Sequence, residues 1–141
     1  MKAKKSLEKN LVIKRSSLPS AGKGLFSKQL IKRGTPIVEY KGKVSSWKDA
    51  DHDDGRNAYI YYVTKDHVID ARENKNLLAR YANDAKGFKR KKGIKNNSTY
   101  TIDRNKVFIK AMKDIMPGDE ILVGYGKEYW DVMKENKRKK S

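Results

Sequence analysis

A tyrosine held between two glycines is the residue of this chain best suited to chemistry. Tyr125 follows the short apolar run Ile121–Val123, with Gly124 before it and Gly126 after it. A tyrosine in a core needs no flanking glycines, whereas a phenol that faces a buried reacting centre benefits from backbone that turns sharply and approaches a ligand closely. Tyr125 is therefore the candidate catalytic residue.

A second glycine pair, Gly22-Lys23-Gly24, marks a candidate ligand-binding turn near the N-terminus. It lacks the third glycine of a dinucleotide-binding fingerprint and the Gly-Lys-Ser/Thr ending of a phosphate-binding loop. The sequence thus argues against a Rossmann domain and against a nucleoside triphosphatase. Two interpretations remain: an ordinary turn, or backbone that passes close to a ligand.

The acidic segment Asp49–Gly55 resembles a calcium loop, but its glycine comes one position late and Ile60 stands where the bidentate glutamate belongs. Calcium is therefore rejected as its ligand. The segment is either a solvated loop or the acidic side of a groove that binds a basic peptide. In the second case, the substrate-binding carboxylates are those of Asp51, Asp53 and Asp54.

The sequence predicts no metal site and no hydrolytic triad. The chain has no cysteine, which excludes disulfides, thiolate nucleophiles and cysteine-based zinc sites. His52 and His67 have neither a metal-ligand spacing nor a nucleophile–base spacing. We interpret both histidines as structural.

A net charge of +17 over 141 residues is the main compositional feature. The length predicts one domain, and the positive charge attracts polyanions. The basic runs Lys2–Lys5, Lys86–Lys95 and Lys134–Lys140 are either solvated loops and tails or contacts for nucleic acid or chromatin. No apolar run has the length of a signal peptide core or a membrane span, so we expect no membrane contact and an intracellular location, cytoplasmic or nuclear and chromatin-associated depending on the organism.

Short strands separated by turn residues predict a mostly β domain. The predicted strands are Leu11–Ile13 and Pro36–Tyr40, followed by two hairpins, Tyr59–Val63 with His67–Asp70 and Tyr100–Ile102 with Val107–Ile109. Helical patterns are confined to Asn74–Ala82 and Lys127–Lys137.

Four segments, in this order, resemble the motifs of SET-domain protein lysine methyltransferases: Ser20–Phe26, Glu39–Gly42, Ala79–Asp84 and Gly118–Gly126. The third is the most specific. The family has Arg-aromatic-apolar-Asn-His there, followed by a Pro-Asn-Cys-like stretch, whereas this chain has Asp84 in place of the histidine and Asn96–Ser98 without a cysteine. The resemblance covers residues 11–131. In having no cysteine, the chain resembles the compact viral and bacterial members of the family.

The resemblance implies a SET fold of several small sheets, with one segment threaded through a neighbouring loop as a pseudoknot, a short helix and a C-terminal helix. It implies S-adenosylmethionine (SAM) as the cofactor and Tyr125 as the catalytic phenol. The implied cofactor-binding residues are Gly22, Lys23, Gly24, Arg80, Tyr81, Asn83, Asp84, Tyr125 and Trp130. The implied walls of the lysine channel are Tyr59, Tyr61 and Trp130, and Val123 would leave room there for a second or third methyl group.

We therefore expect a basic tail at residues 1–10, a SET domain at 11–131 and a basic tail at 132–141. The expected function is SAM-dependent methylation of lysine in a basic protein, such as a histone or a histone-like protein. The alternative is a catalytically silent basic module that binds DNA or RNA. Non-specific nucleic-acid contact is compatible with either function, and the oligomeric state stays open, with a dimer as one option.

Overall fold

The computed structural model describes residues 7–18, 21–55, 57, 59–73, 77–85 and 93–124. This part of the chain is mostly β, as the sequence predicts. Its strands are β1 (Leu11–Arg15), β2 (Lys23–Ser27), β3 (Pro36–Glu39), β4 (Lys43–Ser45), β5 (Ile60–Thr64), β6 (His67–Asp70), β7 (Ser98–Asp103) and β8 (Lys106–Ala111). Short 3₁₀ helices span Leu7–Asn10, Asp53–Gly55 and Leu78–Tyr81. The helix predicted at Lys127–Lys137 lies outside the described residues.

The strands form three small antiparallel sheets, ordered β1-β2, β3-β8-β7 and β4-β6-β5. Both predicted hairpins are confirmed, since β5 pairs with β6 and β7 pairs with β8. The turn between β7 and β8 has Arg104 at φ 52° and Asn105 at φ 66°. Two central residues with positive φ are the mark of a type I′ turn, whose twist matches that of the flanking strands.

Two strands, β2 and β4, were not predicted from the sequence. β2 begins inside the glycine pair, where the Ser/Pro/Gly composition of the surrounding segment indicates a loop. Pairing with β1 decides its conformation, and the register places Val12 opposite Phe26. β4 has three residues, too few to show a period of two.

The helical pattern at Asn74–Ala82 is realised only as the 3₁₀ turn Leu78–Tyr81. Leu77 before the turn and Ala82 after it both have extended backbone. A short helical turn is thus confirmed within the predicted range, but it does not include Leu77 or Ala82, because after Tyr81 the chain must extend at once to place Asn83 beside Leu122 in a parallel bridge.

The segment Asp119–Val123 ties the separate parts of the fold together. It bridges β2 through Phe26 and Glu120, and Ile121 N donates to Leu25 O at 2.7 Å. On its other side Leu122 N donates to the Asn97 side-chain oxygen at 3.0 Å, and Asn97 Nδ2 donates to Glu120 O at 2.9 Å. Asp119–Val123 thus runs between β2 and the residues around Asn83 and Asn97, and we call it the threaded segment.

One apolar core joins all three sheets. Its members include residues from each sheet and from the threaded segment, among them Leu25, Ile69, Ile109, Ile121 and Val123. Full burial of each such side chain stabilises the fold by about 1.5–3 kcal/mol. The core thus fixes the relative positions of the loops that carry the candidate site. No helix of the described part is long and apolar enough to cross a bilayer.

Candidate functional site

Gly22 ends the connection from β1 to β2, and Gly24 lies within β2. Gly22 has φ +71°, a left-handed conformation that glycine adopts without steric cost, and its carbonyl accepts a hydrogen bond from Ser16 N at 2.8 Å. A Cβ at Gly22 would meet no atom within 4 Å. The backbone at this turn is therefore open to the approach of a ligand.

Gly24 is glycine for a different reason. It is buried, and a Cβ at this position would overlap Glu120 Oε2 and lie 3.2 Å from Ser16 Cβ. The space beside Gly24 is therefore filled by a carboxylate of the protein itself. Sequence reasoning missed Glu120, although a glutamate directly before the apolar run Ile121–Val123 was a signal of an acidic side chain at the edge of the core.

Asn83 joins three segments of the fold. Its side-chain Nδ2 donates to Lys23 O at 3.0 Å, and its carbonyl accepts a hydrogen bond from Val123 N at 2.8 Å. No donor among the described residues reaches Asn83 Oδ1. The amide oxygen is thus available as an acceptor beside the glycine turn, which fits the ammonium group at the amino-acid end of SAM.

Asp84, which stands where the family has histidine, is buried and turned towards the loop that returns at Asn96. Asn96 Nδ2 donates to Asp84 Oδ1 at 2.9 Å, while Asn96 Oδ1 accepts a hydrogen bond from Ala85 N at 2.8 Å. Asn96 therefore holds its own loop against the turn at Asp84 and Ala85. The carboxylate takes part in the architecture of the site.

Arg80 supports the loop after β6. Its Nη1 donates to Ala71 O at 2.9 Å and to Arg72 O at 2.6 Å. The guanidinium lies 4.3 Å from the ring centroid of Tyr59 and 5.3 Å from that of Tyr81, within the range of cation–π contact. Tyr59 is thus engaged by Arg80, and its carbonyl accepts a hydrogen bond from the Tyr40 hydroxyl at 2.8 Å.

Tyr61 belongs to a cluster of three tyrosines that the sequence did not identify. Its ring centroid lies 4.8 Å from that of Tyr100 and 6.0 Å from that of Tyr40, and Tyr40 and Tyr100 are also 6.0 Å apart. Tyr40 sits in the Glu39–Gly42 motif and Tyr100 two residues after Ser98, so both were close to segments already singled out. Together the three rings form an aromatic wall.

Burial raises the pKa of the Tyr61 phenol above its ordinary value of 10.0. The unfolded chain then loses this proton at a lower pH than the folded chain, so the contribution of Tyr61 to stability is present below about pH 10 and is lost as pH rises through the folded-state pKa. We expect Tyr61→Phe to lessen the fall in the free energy of unfolding above pH 10. Urea titrations of both proteins between pH 8 and 11 measure this, and parallel curves would contradict it.

The structure places Val123 in the core and the acidic segment beside Arg72. Val123 is 0% exposed and belongs to the apolar core. Arg72 pairs with Asp51 at 2.6 Å and with Asp53 at 3.3 Å, and Asp53 and Asp54 have φ of 48° and 52°. Arg72 thus holds a bent acidic loop with two of its carboxylates already engaged.

The structure thus brings Lys23, Gly24, Asn83 and Glu120 together at the glycine turn, and Tyr61 with Tyr40 and Tyr100 in the aromatic wall. Arg80, Tyr81 and Tyr59 form a separate stack, and the acidic loop packs with Arg72. Tyr125 and Trp130 lie outside the described residues. Within those residues, no group of three or more His, Asp or Glu side chains is arranged to hold a metal ion.

Comparisons with known proteins agree with this architecture. The SET domain family model matches residues 22–126. The zebrafish (Danio rerio) N-lysine methyltransferase KMT5A-A is 28% identical over an alignment of 116 positions, and the match covers 74% of this chain and 32% of the relative. The chain thus spans about a third of the length of that curated relative.

Solved structures share the fold. The methyltransferase domain of human PR domain-containing protein 2 has a TM-score of 0.60 at 22% identity, covering 83% of this chain and 77% of the other. An autoinhibited Polycomb Repressive Complex 2 (ctPRC2) bound to S-adenosylmethionine has a TM-score of 0.66 at 23% identity, covering 92% of this chain and 16% of the other. A humanized mutant of the Chaetomium thermophilum complex, bound to the inhibitor GSK126, has a TM-score of 0.68 at 24% identity, covering 88% and 16%. With the threaded segment, the glycine turn and a family match over most of its length, the chain belongs to the SET-domain family.

Proposed function

We propose that this protein is a SAM-dependent protein lysine N-methyltransferase that acts on a basic protein. The observation that carries the proposal is the junction at Asn83, which ties the glycine turn to the threaded segment and leaves its amide oxygen as an open acceptor. This junction lies within the stretch that matches the SET family. SAM is the cofactor of that family, and when bound it supplies an electrophilic methyl group on a sulfonium.

The residues of this chain suit the tasks of such a reaction. Methyl transfer to an amine is an in-line displacement, so the protein must align the reactants, exclude water and accept the lysine in its neutral form. Lysine has a pKa of about 10.4 in water, and an apolar aromatic channel lowers it by disfavouring the charged form. The wall formed by the buried Tyr40 and the half-buried Tyr61 and Tyr100 would line such a channel, and the phenol of Tyr125 would accept a hydrogen bond from the amine.

A basic segment of a protein is the substrate class that we propose. β5 pairs with β6 along one edge, and the described residues place no strand along the other, so an extended peptide could add to the sheet beside Tyr61. The acidic loop Asp49–Gly55 would attract lysine and arginine side chains, although Arg72 already engages Asp51 and Asp53. The loop would therefore contribute long-range attraction. Salt at physiological ionic strength screens such attraction beyond about 8 Å.

The test incubates the protein with methyl-labelled SAM and a panel of histones, bacterial histone-like proteins and ribosomal proteins. We expect label on at least one basic protein, with incorporation that falls as salt rises, and none on the same proteins acetylated beforehand at their lysines. Calorimetric titration with SAM accompanies the assay. An absence of SAM binding, combined with salt-sensitive binding of DNA or RNA, would replace the proposal with a basic nucleic-acid-binding module.

A further inference from the structure

A buried glutamate lies at the centre of the candidate cofactor site. Glu120 is 8% exposed, and no lysine or arginine among the described residues forms an ion pair with it. A buried carboxylate is costly unless donors satisfy its oxygens. Here the Ser17 hydroxyl at 2.7 Å and Ser17 N at 3.0 Å donate to Oε1, and the Ser16 hydroxyl donates to Oε2 at 2.6 Å.

The fourth donor to Glu120 is Asn83, the residue that we expect to bind the cofactor. Asn83 Nδ2 lies 3.4 Å from Glu120 Oε2 and 3.0 Å from Lys23 O. Both neighbours act as acceptors here, since one is a backbone carbonyl and the other is the carboxylate oxygen that also accepts a hydrogen bond from the Ser16 hydroxyl. The amide can therefore satisfy them only with its NH₂ group turned inwards, which leaves Oδ1 on the opposite side.

We propose that Glu120 is a positioning residue that sets the orientation of the Asn83 amide, so that Oδ1 faces a cationic ligand group such as the ammonium of SAM. This inference rests on the proposed function. A flipped amide would present two N–H donors to an ammonium that can only donate, and the hydrogen bond would be lost. Gly24 belongs to the same arrangement, because only glycine leaves room for the carboxylate at this point.

Glu120→Gln is a sharp test, because glutamine has nearly the same shape as glutamate but carries a donor. The serine hydroxyls can rotate to accept a hydrogen bond from the new NH₂ group. Asn83 cannot do so without turning Oδ1 inwards, where it would face Lys23 O. The substitution therefore removes the preference for one orientation while changing little of the volume.

Calorimetric titrations with SAM use four proteins: the wild type, Glu120→Gln, Asn83→Ala and the double variant. We expect each single substitution to raise the Kd about tenfold, the loss typical of a hydrogen bond to a charged group. If Glu120 acts through Asn83, the double variant has a Kd within about twofold of that of Asn83→Ala. Additive effects, or an unchanged Kd in Glu120→Gln, would overturn the inference. The kcat at saturating SAM should change less than about threefold.

Asp119→Asn is the matched control, since it makes the same chemical change one residue away at an exposed side chain whose Oδ2 accepts a hydrogen bond from Met116 N at 3.0 Å. Its Kd for SAM should equal that of the wild type. If Glu120→Gln does not fold, Ser16→Ala takes its place, because it removes the hydroxyl that shares Oε2 with Asn83. A twofold to fivefold higher Kd is then expected, roughly a weak hydrogen bond, and an unchanged Kd counts against the inference.

A measurement without ligand separates this inference from the proposed function. The side-chain amide signals of Asn83 in a proton–nitrogen NMR spectrum should move in Glu120→Gln and stay in place in Asp119→Asn. Signals that do not move would refute the orienting role, whatever the protein binds. Two results together would overturn only the assignment of SAM as the ligand: a wild type that binds no SAM, and Asn83 signals that move in Glu120→Gln. The orienting role of Glu120 would then still stand.

Discussion

We expect Tyr125→Phe to lower kcat for lysine methylation by about 100-fold or more and to leave the Kd for SAM within about twofold of the wild type. In the proposed reaction the hydroxyl would be needed mainly in the transition state, where it would hold the neutral amine in line with the methyl group. Loss of a group used only in the transition state lowers turnover without weakening ground-state binding.

Single-turnover methylation of a basic peptide, together with calorimetric titration of SAM, measures both quantities in the same preparation. Tyr62→Phe is the matched control, because Tyr62 is 53% exposed and lies on β5 one residue from Tyr61. It should keep wild-type turnover. Full activity in Tyr125→Phe would remove this residue from the catalytic role and direct attention to the hydroxyls of Tyr40, Tyr61 and Tyr100.

We expect Gly24→Ala to lower the free energy of unfolding by about 2–3 kcal/mol, the upper part of the range for overpacking a well-packed interior. The added methyl group would occupy the position of Glu120 Oε2 and press on Ser16 Cβ. The carboxylate must then move away from the donors of Ser16, Ser17 and Asn83, which a buried charge tolerates poorly.

Urea denaturation of Gly24→Ala, Glu120→Ala and the combined variant provides the measurement. Because the alanine methyl group has nothing to overlap once the carboxylate is gone, the double variant should lose clearly less stability than the sum of the two single losses. Gly22→Ala is the control at an open position, where only the left-handed backbone costs about 1–2 kcal/mol and removal of Glu120 brings no relief. Strict additivity for Gly24 and Glu120 would show that the carboxylate does not set the requirement for glycine.

Much of the fold could be predicted from sequence because its hairpins carry local signals. The β7–β8 hairpin has β-branched and aromatic residues on both sides of Asp103–Lys106, and the structure forms a type I′ turn at Arg104 and Asn105. β2 could not be predicted in this way, because its glycine and serine content argues for a loop and only pairing with β1 makes it a strand. The range predicted for the helix, Asn74–Ala82, includes residues that are not helical for the same reason. The parallel bridge from Asn83 to Leu122 overrides local helix propensity.

The residues of the candidate site likewise fall into those that the sequence could identify and those whose contacts only the fold shows. Asn83 and the glycine pair stand in motifs with a recognisable order, so the sequence alone could nominate them. Glu120 and Tyr40 also stand in such motifs, but the contacts of Glu120, Tyr40 and Tyr100 became visible only when segments far apart in the chain were brought together. No local pattern reports a contact between Ser16 and Glu120, which are 104 positions apart.

By itself, the sequence determined that this is a small basic β domain with SET motifs, because composition, turn residues and motif order are properties of neighbouring residues. The tertiary structure decided what each glycine, carboxylate and aromatic ring does. Gly22 provides an open turn while Gly24 makes room for Glu120, and Tyr61 joins an aromatic wall while Tyr59 packs on Arg80. These roles depend on which atoms meet across the threaded segment and the packed sheets, and burial and hydrogen bonding are set by those long-range contacts.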